Sequence, residues 1–62
     1  MSFEEVMVML RRGYHMRRAN WFTSIGWTPG SESIQRFWRS GFVELWRPTL
    51  ADIQATDWER AT

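Results

Sequence analysis

Thirteen residues, Trp46 to Trp58 (WRPTLADIQATDW), leave this chain few ways to fold. Pro48 has no N–H for a ladder and biases Arg47 away from helix, so the spacing predicts that a strand ends there. Thr49 is a good N-cap, and Asp52 three positions on is a weaker version of the capping-box acid. Leu50 and Ile53, with the small Ala51 and Ala55 able to sit close to a sheet, predict a short helix with an apolar side. Thr56-Asp57 breaks that helix, and Trp58 anchors a final extended segment.

With 62 residues the chain is one domain, residues 1–62, and it has no Cys. A domain of this size buries only about 60% of its unfolded surface, and its core supplies roughly 3–5 kcal/mol. Disulfides and thiolate metal sites are excluded, and a single His builds no zinc site without carboxylate help. Five Trp, four Phe and one Tyr remain as the source of stability, together with self-association. A homo-oligomer, dimer or tetramer, is therefore expected.

At the N-terminus, Ser2 and Glu5 form an S-x-x-E capping box, with Met1 and Val6 placed as a hydrophobic staple. The helix is expected from Phe3 to about Arg12, with Gly13 as the C′ residue and Arg11 and Arg12 where the helix dipole favours cations. Phe3, Val6, Met7 and Leu10 follow the stripe that faces a core. Val8 and Met9 lie off it, either half-exposed or against another subunit.

Tyr14 to Trp21 alternates as a strand, which puts His15 at the surface opposite Tyr14. Asn20 marks a bend. Phe22 to Trp27 reads as a second strand with Thr23, Ile25 and Trp27 on one side, and Thr28-Pro29-Gly30-Ser31 is a turn. The element order is thus α+β: an N-terminal helix on a small twisted antiparallel sheet, with a short helix before the last strand.

Ile34 to Arg47 is a hairpin whose loop length sets its register. A two-residue Ser40-Gly41 loop mixes polar and apolar groups on both faces. A three-residue Arg39-Ser40-Gly41 loop, with Gly41 left-handed, pairs Arg36 with Glu44, Phe37 with Val43, Trp38 with Phe42 and Ile34 with Trp46. Cross-strand pairs are worth about 0.2–1 kcal/mol each, which favours the three-residue loop. Phe37, Val43 and Leu45 then form the expected core side. Ile34, Arg36, Trp38, Phe42, Glu44 and Trp46 form an outward aromatic surface threaded with charge. So much apolar area facing water implies either a homo-oligomer interface or a platform on which a planar ligand stacks while Arg meets phosphate. A pocket between subunits would use both.

The net charge is only +1, although all eight basic residues are Arg. The Arg bias fits a GC-rich genome, or bidentate recognition of carboxylate and phosphate. Duplex nucleic acid is disfavoured as a partner, because it calls for a strong positive surplus. No run approaches the roughly 18 apolar residues of a membrane span and no signal peptide is evident, so no membrane association and a cytoplasmic location are expected. Without Lys, Cys or a Gly-rich phosphate cradle, catalysis is not expected, and neither is any cofactor or metal.

The pattern W-x-P-T-x-x-D-I-x-A-x-D-W, carried by Trp46, Pro48, Thr49, Asp52, Ile53, Ala55, Asp57 and Trp58, resembles the C-terminal signature of a phage and prophage family, the Thoeris anti-defence sponges. The opening is also similar: Phe3, a helix ending Leu10-Arg11-Arg12-Gly13, then Met16-x-Arg18-x-x-Trp21. The middle departs from the family in lacking its usual longer insert. The resemblance implies a counter-defence homo-oligomer with pockets between protomers. It would bind and sequester a cyclic nucleotide or cyclic ADP-ribose-type immune signal without degrading it, in the host cytoplasm if phage-encoded. Arg18 and Trp21 match the early motif, and Asp57 and Trp58 the late one. The expected ligand contacts are Trp21 on a base, Arg18 with Arg36 or Arg39 on phosphate, Asn20 at a polar edge, and Trp38 and Asp57 beside them. Arg36, Trp38 and Arg39 enter through the hairpin register and not through the resemblance. Trp46, Trp58, Pro48, Thr49 and Asp52 are expected to be framework. Two alternatives use the same aromatic face: a module that docks on a protein partner, and a single-stranded nucleic-acid binder.

Overall fold

Ser2 starts the long helix as its spacing requires. In this computed structural model, which describes residues 1–28 and 30–61, the Glu5 N–H donates to Ser2 Oγ (3.3 Å) and the Ser2 N–H to Glu5 Oε1 (3.1 Å). This reciprocal box caps α1, Phe3–Arg11. The helix ends at Arg12, and Gly13 takes φ 94°, which lets its N–H reach Leu10 O and the Tyr14 N–H reach Met9 O. Val6 and Leu10 are buried, with Phe3, Met7 and Met9 packed partly beside them, whereas Val8 is exposed.

Five short strands follow: β1 Met16–Arg18, β2 Ser24–Trp27, β3 Ile34–Phe37, β4 Val43–Trp46 and β5 Trp58–Arg60. They form one antiparallel sheet in the order β4-β3-β2-β1-β5, and α2, Leu50–Gln54, precedes the last strand. The fold is α+β. Among the described residues no helix is long and apolar enough to cross a membrane. The turn after β2 closes with the Ser31 N–H on Thr28 O and Gly30 at φ 87°; Pro29, expected within it, lies outside the described residues.

The β3–β4 hairpin has the three-residue register. Ile34 pairs with Trp46, Arg36 with Glu44 and Phe37 with Val43, and Gly41 sits at φ 92° with its N–H on Trp38 O. The sidedness is the reverse of expectation. Ile34 and Trp46 join Met16, Ile25 and Trp58 in the core under α1, while Val43 and Leu45 are exposed on the open face. Within the hairpin alone, Arg36 and Glu44 mark their face as polar. Over five strands, though, Met16, Ile25, Trp27, Ile34, Trp46 and Trp58 give that same face far more apolar area, and the helix covers it.

Two smaller expectations are also corrected. α2 does not turn Leu50 and Ile53 inward: both are exposed, and the buried residue of the helix is Asp52. Asp52 wins because its carboxylate has fixed donors to meet there, from Thr49 and Arg18. His15 is half-buried and not a surface residue, its ring tilted on Phe37 at 4.7 Å with Nδ1 3.4 Å from Ser24 Oγ. The space for that ring comes from Gly26 beneath it, where a Cβ would lie 2.8 Å from His15 Nε2.

Candidate ligand-binding site

The seven residues expected to bind ligand gather at one end of the sheet, although they come from four segments of the chain. Antiparallel pairing brings together the end of β1, the β1–β2 connection, the end of β3 with the β3–β4 loop, and the residues that lead into β5. Within that end the residues sort into two clusters with different chemistry.

The first is a clamp. Arg18 Nε donates to Asp57 Oδ1 at 3.0 Å, and its terminal nitrogen donates to Asp52 Oδ1 at 3.2 Å. Asp52 in turn accepts the N–H and hydroxyl of Thr49, each at 2.9 Å, so the α2 cap and the guanidinium share one carboxylate. Burial pushes the Asp52 carboxyl up, but the Thr49 and Arg18 hydrogen bonds outweigh it and hold it below the usual carboxylate range. The Arg18 hydrogen bond likewise lowers Asp57, and Asp57 first, then Asp52, raises Arg18. Arg18 and Asp57 are thus engaged with each other. They tie β1 to the segment that leads into β5.

The second cluster is aromatic. Trp21, held by a turn in which its N–H bonds Arg18 O, meets Trp46 and Trp58 edge-on at 5.9 and 5.2 Å. The Arg36 guanidinium carbon lies 4.7 Å from the Trp21 ring centre and 5.9 Å from that of Trp38. Arg36 Nε is buried without a hydrogen-bond partner, and Arg36 has no ion pair among the described residues even though Glu44 is directly opposite. Two indoles therefore stabilise this cation through their π faces, and its Nε–H has no acceptor among the described residues. Trp38 is exposed, as are Arg39 in the hairpin loop and Asn20 in the turn after β1.

No protein-family model and no curated protein matches this chain. The site is therefore read from its own geometry.

Beside the aromatic cluster a groove of about 250 Å³ opens round the end of the sheet, walled by Phe22, Phe37, Trp38, Arg17 and Arg39. Arg17 is tied to Glu59 at 2.8 Å, whereas Arg39 has no ion pair among the described residues. Sequence reasoning gave Phe22 and Arg17 no role at the site and put Phe37 on the core side, whereas Phe37 lies on the open face against His15. A signal existed for Phe22, because the alternation that places Thr23, Ile25 and Trp27 on one side places Phe22 on the other.

Proposed function

We propose that this protein binds and sequesters a small phosphorylated planar signal, of the cyclic nucleotide or cyclic ADP-ribose type, without degrading it. The observation that carries the reading is Arg36: a cation between Trp21 and Trp38 whose buried Nε has no partner. An incoming phosphate supplies the counter-charge that the half-buried Arg36 lacks among the described residues, and a base stacks on the exposed Trp38. Arg39 lines the groove beside Trp38, and Asn20 is exposed in the turn after β1. In this reading Arg18 and Asp57 shape the site from behind, through the clamp, and Trp21 is its inner wall.

Asp52 and Asp57 are committed to structural partners, Asp52 to Thr49 and Arg18 and Asp57 to Arg18, so in this reading neither carboxylate acts on the ligand. Assembly as a homo-oligomer in the cytoplasm belongs to the same proposal. A groove of about 250 Å³ falls short of the roughly 300–1,000 Å³ of complete small-molecule sites, and a second copy supplies the remaining wall. The exposed Leu45 (68%) and Val43 on the open face favour self-association; they also favour the second reading, a module that docks this face on a protein partner.

The test is a thermal-shift panel of cyclic ADP-ribose isomers and cyclic di- and trinucleotides. A binder of one of them gains stability in proportion to ligand occupancy and releases it chemically intact on denaturation. No shift at saturating concentration of any member removes the reading.

A further inference from the structure

Phe22 is 84% exposed, beside the buried Thr23. A phenyl ring so open to water calls for an explanation, and its surroundings supply one. It shares the groove with Trp38, which is 42% exposed, and with Arg39, which has no ion pair among the described residues. Among the described residues no carboxylate lines the groove, and Thr23 and Ser24 bring hydroxyls to it. Aromatic walls, the Arg39 cation and small polar groups together favour a planar ring carrying an anionic group.

We infer that this groove is a one-base subsite, which takes the purine of one half of a dinucleotide-type ligand between Phe22 and Trp38, with the attached phosphate on Arg39. The inference rests on the sequestration reading and narrows it to a ligand half and a stoichiometry of one base per protomer. The groove volume of about 250 Å³ suits a single base and its phosphate, not a whole dinucleotide. A nucleic-acid strand is the poorer occupant. Arg17 is already paired with Glu59, so among the described residues that line the groove Arg39 is the cation left without an ion pair, where a strand needs a row of them.

The experiment titrates the intact protein with AMP, adenosine and a ten-residue deoxyadenosine oligonucleotide, following tryptophan fluorescence, beside the cyclic-nucleotide panel. Because Phe22 is so exposed, Phe22→Ala keeps the fold, which circular dichroism checks. Stacking on one aromatic is worth a factor of roughly 5 to 150 in affinity per base. Phe22→Ala is expected to weaken AMP at least about ten-fold, and Phe22→Tyr to restore it. Arg39→Ala should weaken AMP while leaving adenosine unchanged. If the panel stabilises the protein but AMP fails to bind, or binds Phe22→Ala as well as wild type, the subsite is wrong and sequestration stands. If neither the panel nor AMP binds, both fall. An oligonucleotide that binds far more tightly than AMP, with steep loss in salt, overturns the subsite in favour of a strand.

Discussion

The Trp46 and Trp58 rings meet edge to face, 6.2 Å between centroids, although they stand on the two edge strands of the sheet. Five strands spaced about 4.8 Å apart would place flat edges roughly 19 Å from each other. The sheet is therefore rolled toward α1, and Trp21 fills the centre of the roll against both rings. Trp58 is fixed further by its indole N–H on Asp52 O at 3.0 Å. A chain with one short helix to lay on its sheet closes the rest of its core with indoles.

Removing either edge ring should unfold the isolated chain. Trp→Ala in a core costs about 3–5 kcal/mol, as much as a core of this size supplies. Trp58→Ala and Trp46→Ala are expected to lose the cooperative thermal transition in circular dichroism. A transition retained within a few degrees of wild type would show the rings to be peripheral.

The Arg18 clamp makes stability depend on acid. Asp52 and Asp57 are held below their ordinary value of 3.8 in the folded chain, so the unfolded chain takes up protons first as pH falls. Their contribution is complete above about pH 5 and is lost as pH drops through the lowered folded values. Thermal midpoints measured from pH 7 to pH 2 should stay level and then decline below about pH 4. In Asp52→Asn the decline should be shallower and begin from a lower plateau.

Gly26 marks a contact on the open face that a methyl group would disturb. A Cβ there meets His15 Nε2 at 2.8 Å and Phe37 Cε1 at 3.0 Å, so Gly26→Ala must displace two stacked rings. Overpacking of this kind costs about 1–3 kcal/mol. Urea unfolding should show that loss in Gly26→Ala and recover part of it in Gly26→Ala/His15→Ala. Additive effects in the double variant would mean that the rings do not transmit the clash.

Self-association should run through the open face and not through the side that α1 covers. Leu45→Glu places a charge where the native side chain is 68% exposed, so the monomer fold is expected to persist. Light scattering should report a smaller species than wild type. An unchanged mass would remove this face as a self-association surface.

Much of this architecture was legible in the chain itself, because local chemistry decides it. Ser2 with Glu5, and Thr49 with Asp52, can only close boxes at helix starts, and Gly41 permits one hairpin loop that pairs Ile34 with Trp46. The clustering of Arg18, Asn20, Trp21, Arg36, Trp38, Arg39 and Asp57 at one end of the sheet needs the order of the strands as well, which is a property of the folded sheet and not of any local pattern. What only the tertiary structure decided is which side faces in. A hairpin read alone cannot reveal where a helix 30 residues away will lie, since burial is a sum over the whole sheet. So Arg36 came to rest between indoles with an unsatisfied Nε, Asp52 turned inward to meet Arg18, and Leu45 and Phe22 were left in water. Alternation assigns side chains to two faces, but the largest combined apolar area chooses between them.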